Sequence, residues 1–169
     1  SEMCIRDRYL SLGVKKENIF MFDSKGLIHA KRKDLDENKK FFIQKTQNIS
    51  LEKAFVNADV FLGLSKGGII QPHMIKSMGK NPIVFALANP NPEIEYDLAL
   101  DTREDVIMAT GRSDHPNQVN NVLGFPYIFR GALDVRATKI NEEMKIAAVN
   151  AIAKLAKEPV PDEVNEAYD

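Results

Sequence analysis

Cysteine is nearly absent from this chain of 169 residues: Cys4 stands alone, cannot close an internal disulfide, and has no Cys or His neighbour at metal-ligand spacing. A single thiol fits a reducing compartment, so the expected location is the cytoplasm. Long apolar runs are missing too. The apolar segments are strand-length, well short of the ~20 residues a membrane-spanning helix needs, and no apolar signal-peptide core follows the amino terminus. No membrane association is expected. An excess of one charge is also lacking: 23 Lys and Arg against 24 Asp and Glu leave a formal net charge of -1. The basic cluster Lys31-Arg32-Lys33 is too short for an electrostatic nucleic-acid footprint, and no nucleic-acid partner is expected.

What is present suits one globular domain, with 44% hydrophobic and 28% charged residues. Strand-like apolar runs occur at residues 19–22, 60–64, 83–88 and 106–109, with helix-compatible segments between the later ones. Strands alternating with helices predict an α/β fold, a Rossmann-like parallel sheet with flanking helices and right-handed crossovers. The run 106–109 has no helical period and reads as a strand covered on both faces. Helices are predicted around residues 38–45, over 51–57 with Ser50 as N-cap, over 73–78 between Pro72 and Gly79, and from Glu93, whose charge suits a helix amino end. Beyond them, residues 125–135 read as a helix entered through Pro126. Ile140, Met144, Ala147, Ala148, Ala151, Ile152 and Leu155 recur at the spacing of a helix with one buried face, stopped by Pro159 and Pro161.

Polar residues gather where these strands end. In parallel α/β sheets the carboxyl ends of strands are where small ligands bind. Asp23 closes the first run before a Ser24-Lys25-Gly26 turn, and Lys66-Gly67-Gly68 follows the second, where glycine lets backbone approach a ligand closely. Asn89-Pro90-Asn91-Pro92 follows the third and holds Asn89 on an extended, rigid mount. The fourth leads into a polar loop that ends at the adjacent pair Asn120 and Asn121. Each has a plainer reading: Asp23 as a turn former bonded to amides, Ser65 as a helix N-cap, Asn89 as an Asx-turn, the Asn pair as loop amides bonded to backbone, and residues 31–40 as a solvated loop leading into a helix. His29, His73 and His115 have no partner at ligand or catalytic spacing and are assigned no role, and Arg130 reads as a helix-anchoring salt-bridge partner.

The amino terminus lacks what such a sheet needs when it holds a dinucleotide, namely a first strand and a Gly-x-Gly-x-x-Gly turn whose amides cradle the pyrophosphate. LSLGV reads as the end of a crossover helix, so that strand and turn belong where SEMCIRDR stands, and these eight residues hold no glycine. They resemble a translated sequencing adaptor. Residues 1–8 are expected to be a non-native leader that packs poorly, with Met3 and Ile5 unburied, and residues 9–169 a partial domain.

FMFDSKGLI, DVFLGLS, ALANPNPEI, ATGRSDHPNQVNNVLGFPYIFRGALDVRAT and INEEMKIAAV occur in order between Tyr9 and Val164. Together they resemble the carboxyl-terminal nicotinamide-binding domain of bacterial malic enzymes, and the NNVLGFPYIFRGALDVRAT block is the most specific of them. The resemblance implies oxidative decarboxylation of (S)-malate to pyruvate and CO2 by a two-domain enzyme using NAD or NADP and a Mg or Mn ion, a homo-oligomer when full length. It also implies roles for individual residues. Asp23 accepts from the adenosine ribose hydroxyls, which favours NAD; Lys25 and Lys40 suit a 2'-phosphate, which favours NADP, so the preference stays open. Leu64 and Ser65 pass the cofactor ribose and nicotinamide, Asn89 contacts cofactor and substrate, and at least one of Asn120 and Asn121 bonds malate, Asn121 being the first choice.

In such a family the lysine base, tyrosine acid and metal carboxylates lie upstream of the absent glycine turn. No catalytic or metal-binding residue is therefore assigned within this chain, and it is expected not to turn over alone. The end near Asp169 also falls early against the resemblance, and whether an acyltransferase-like domain follows is open. Two other readings remain at this point: another NAD(P)-dependent dehydrogenase sharing the half-sheet, and a noncatalytic nucleotide-binding or assembly module.

Overall fold

A computed structural model describes residues 2–45 and 48–168, which form two compact units meeting in sequence at Val119 and Asn120. The first unit opens with α1 (Glu2–Ser11), so residues 2–8 are helical. Ser1 and the side chains of Met3 and Cys4 lie outside the described residues, and Ile5 is half-buried. A short antiparallel hairpin follows, β1 (Phe22–Asp23) against β2 (Gly26–Leu27), with Gly26 at φ 100° in its turn. Two one-turn helices come next. The Asp36 carboxylate accepts the Lys39 N–H at the start of α2 (Glu37–Phe41), and the Ser50 hydroxyl accepts the Lys53 N–H at the start of α3 (Leu51–Phe55), so Ser50 caps as its sequence position predicts.

The centre of this unit alternates strictly: β3 (Val60–Gly63), α4 (Pro72–Ser77), β4 (Ile83–Ala86), α5 (Tyr96–Thr102), β5 (Ile107–Thr110). The three strands form a parallel sheet in the order β3-β4-β5, with Val60, Ile83 and Ile107 aligned in one cross-strand row and Gly63, Ala86 and Thr110 in another. This is the Rossmann-like α/β arrangement that the alternation of runs predicts. Phe55, Met74, Ile75, Val84, Ala99 and Met108 are among the side chains that close the core between sheet and helices. Val84 and Met108 share a row and are 0% and 1% exposed, whereas Val60 and Ile107 in the preceding row are 44% and 51% exposed. Contrary to the expectation for β5, its two faces are therefore not equally covered at the amino-terminal edge. An apolar run shows that a strand can be buried on both sides, not that this chain supplies both covers.

Two further expectations are corrected. The run 19–22 does not join the parallel sheet. Its last residue, Phe22, pairs with Asp23 back onto Gly26 and Leu27, because a turn this short permits antiparallel pairing only, while a parallel neighbour needs a long crossover. Glu93 does not sit in a helix's first turn: α5 begins at Tyr96 behind Glu95, and Glu93 is completely buried.

The second unit holds a 3-10 turn at Asn121–Leu123, then α6 (Phe125–Asp134), α7 (Glu142–Leu155) and α8 (Asp162–Tyr168). Pro126 lies in the first turn of α6, as expected, and Arg130 pairs with Asp134 one turn on at 2.7 Å. The Asn141 side chain accepts the Met144 N–H at 2.9 Å and starts α7. The apolar stripe of α7 is only partly covered, since Ile152 and Leu155 are 38% and 67% exposed. Periodicity predicts a face that avoids water without stating which segment covers it. Among the described residues, no helix is long and apolar enough to cross a membrane.

Candidate functional site

At the carboxyl edge of the sheet the exits of β3 and β4 are fastened together by one side chain. The Glu93 carboxylate, 0% exposed, accepts the Ser65 N–H through Oε1 at 3.1 Å and the Ala88 N–H through Oε2 at 3.0 Å. Gly63 makes room for it: a Cβ there would fall on the Glu93 carboxyl group, far inside van der Waals contact. Backbone joins the same two segments further along, Gly68 N–H donating to Pro92 O and Ile70 N–H to Glu93 O, both at 3.0 Å. Gly67 packs so closely that a Cβ would stand 2.7 Å from Asn91 O. Gly67 thus serves close backbone approach, here between two protein loops, whereas Gly68 has open space around it and takes φ 71°. Leu64 is half-buried at this junction, while Ser65 and Asn89 are exposed on neighbouring turns. Ser65 caps no helix, since α4 begins behind Gln71, and the Asn89 side chain has no hydrogen bond to any described residue.

The exit of β5 is closed differently. Buried Thr110 accepts the Arg112 N–H on its hydroxyl at 3.2 Å, and its carbonyl accepts the Val119 N–H at 2.8 Å, which folds the intervening loop back on itself. Asn117 supports the loop by donating to Met108 O at 3.1 Å. His115 stacks on Tyr96 with ring centroids 4.6 Å apart, and Arg112 pairs with Asp114. The asparagine pair begins the second unit. Asn120 Oδ1 accepts the Val122 N–H at 3.0 Å and caps the 3-10 turn, as the plainer reading of a loop amide anticipates, whereas the Asn121 side chain bonds to no described residue.

A third cluster surrounds Asp23. Arg32 donates to both of its oxygens at 2.7 and 3.0 Å, Lys39 adds a bond at 3.0 Å, and the Lys25 N–H adds one at 2.9 Å. The Arg32 guanidinium, helped by Lys39 and outweighing partial burial, holds this carboxyl well below the ordinary carboxylate range. Arg32 also grips Asp34, which Lys25 Nζ reaches at 2.8 Å, and Lys40 pairs with Glu37 at 2.5 Å. The turn-forming reading of Asp23 is thus present in the Lys25 bond. Arg32, Lys39, Gly63 and Glu93 carry no site signal in the sequence, because Arg32 and Lys39 lie in an aperiodic charged segment and Glu93 follows two prolines like any helix-leading acid. The close approach of Gly63 to Glu93 leaves no local signature.

The donor set can be tested against the groups the fold implies. Exposed hydroxyl and amide side chains on turns from adjacent parallel strands, above backbone held by Gly67, fit a nicotinamide and its ribose. A divalent ion finds no fit: no three His, Cys, Asp or Glu side chains converge among the described residues. Asp23, Asp105 and Asp114 are each committed to an arginine.

A sequence profile for "Malic enzyme, NAD binding domain" matches residues 3–166. This chain belongs to the malic enzyme family. Among relatives, it is 59% identical over 160 residues to an NADP-dependent malic enzyme of Halomonas elongata, covering 95% of this chain and 38% of that protein. The crystal structure of the Entamoeba histolytica malic enzyme superposes with TM-score 0.83 at 41% identity, over 94% of this chain and 35% of that one. An NAD-dependent malic enzyme of Thermotoga maritima superposes with TM-score 0.77 at 38% identity, over 95% and 42%. The chain therefore spans less than half the length of these malic enzymes.

Proposed function

We propose that this chain is the nicotinamide-binding portion of a malic enzyme that converts (S)-malate to pyruvate and CO2 with NAD or NADP and a divalent Mg or Mn ion. The observation that carries the reading is the fastened pair of strand exits, in which one carboxylate joins Ser65 to Ala88, the residue before Asn89, in a chain of this family. A nicotinamide held by these turns would supply the acceptor for the hydride at malate C2. Asn89 orients substrate against that ring, because a neutral amide donates to a carboxylate and accepts from a hydroxyl. Asn121, whose amide is not spent on backbone, donates to a malate carboxylate, while Asn120 spends its oxygen on holding the turn. Leu64 and Ser65 line the ribose and nicotinamide.

Around Asp23, the cations of Lys25, Arg32 and Lys39 outnumber the carboxylates of Asp23 and Asp34, while Lys40, on the same helix as Lys39, is balanced by Glu37. A surplus of positive charge suits a 2'-phosphate, so this corner favours NADP. Metal ligands and the proton-transferring groups lie elsewhere in the complete enzyme, a cytoplasmic homo-oligomer. The chain by itself has no turnover. A complete reading frame containing this segment, assayed with malate and Mn2+, should form pyruvate and reduced cofactor one for one. Release of a keto acid without CO2, or preference for another hydroxy acid, would instead identify a different dehydrogenase.

A further inference from the structure

Glu93 is used by none of the steps above, yet it is a fully buried carboxylate with no cationic partner among the described residues. Burying such a group is costly unless hydrogen bonds replace water, and here two backbone N–H groups do so. Those two amides belong to different strand exits, one at Ser65 and one beside Asn89. We propose that Glu93 is a positioning residue, which couples the cofactor-facing and substrate-facing turns so that Ser65 and Asn89 keep one fixed relation. The inference rests on the proposed assignment of those two residues to cofactor and substrate.

A side chain of this length with an acceptor oxygen at each of two positions does the work. Both partners are donors, so two acceptor oxygens are needed. Glutamine would turn its NH2 toward one N–H and leave donor facing donor. Gly63 completes the device, because any side chain there would displace the carboxyl group that bridges the turns. Backbone bonds join the same two segments as well, from Leu87 N–H to Gly63 O at 3.1 Å and from Gly68 N–H to Pro92 O and Ile70 N–H to Glu93 O at 3.0 Å, and Glu93 is the side chain that ties in the Ser65 and Ala88 amides.

The test uses the complete enzyme and the Glu93→Gln variant, with steady-state kinetics and hydrogen exchange read by mass spectrometry. The expected result is a kcat lower by about tenfold or more with a smaller change in the malate KM, the pattern of a lost transition-state alignment. Exchange should quicken in residues 64–70 and 87–93 while α4 and α5 keep their protection. Uniformly faster exchange with kcat per folded molecule unchanged would reduce Glu93 to a general stabilising group and overturn the proposal. If Glu93→Gln does not fold, the native enzyme decides: the Ser65 and Ala88 amides must exchange far more slowly than the neighbouring exposed loop amides, and rapid exchange at either sinks the coupling. A native enzyme inactive on malate but protected at both amides would remove the malic enzyme reading and leave the mechanical joint standing.

Discussion

Arg103 shows how one residue can serve two neighbours at once. Its guanidinium donates to Ile75 O at 3.2 Å and Met78 O at 2.9 Å, satisfying the carbonyls that end α4, and grips both oxygens of Asp105 at 2.5 and 2.9 Å. That grip, with the Asn81 N–H, brings the Asp105 carboxyl down to about 2. A depressed folded value contributes stability above the unfolded carboxylate value of ~3.9 and loses it as pH falls toward the folded value. The stability gap between the native chain and Arg103→Met, measured by urea unfolding, should accordingly be widest near neutrality and narrow between about pH 5 and pH 2. The carbonyl-capping part of the gap should persist at every pH. At the site, Asn121→Ala in the complete enzyme should lower kcat/KM for malate by roughly 10- to 100-fold, the effect of losing a hydrogen bond to a charged group. An Asn120→Ala variant that matched or exceeded it would reverse the assignment within the pair.

Among elements, α4 is the best supported, with Ile75 0% exposed between sheet and helices. Ile75→Ala leaves a cavity in a close-packed interior and should cost about 2–5 kcal/mol in chemical denaturation. A loss near zero would mean that the helix does not pack as described. Elements of this kind were legible in the sequence: β3, β4 and β5 fall within or one residue beyond the predicted runs, and the Ser50 cap and the Pro72 helix start lie where capping chemistry puts them. The run ending at Asp23 was not, since an apolar segment reports burial and leaves open which strand it will pair with. The candidate site was legible in part. The place of Ser65 and Asn89 at strand exits was legible because turns there concentrate polar residues, whereas the Glu93 bridge was not, because its partners lie 28 and 5 residues away in the chain.

At the scale of the molecule, the chain spans 38% of its Halomonas relative and forms two compact units, with Ser65 and Asn89 in the first and Asn120 and Asn121 in the second. Among the described residues no constellation of carboxylates and histidines can hold a metal ion. Purified free of host enzyme, the chain should show no malate-dependent NADPH formation in the presence of Mn2+, whereas the complete protein should. Measurable turnover by the chain alone would mean that its own residues supply the acid, base and metal ligands, and would overturn the division of labour proposed here.

Sequence alone determined the family, the alternating α/β order and the polar character of the strand exits, because each is written in local pattern or in long specific blocks such as NNVLGFPYIFRGALDVRAT. Tertiary structure alone decided that Asp23 is neutralised by Arg32 and Lys39, that Glu93 spans two strand exits, and that Gly63 must be bare. Those facts depend on which distant segments share a few ångströms of space, and hydrogen bonds and steric exclusion act over that distance whatever the separation along the chain.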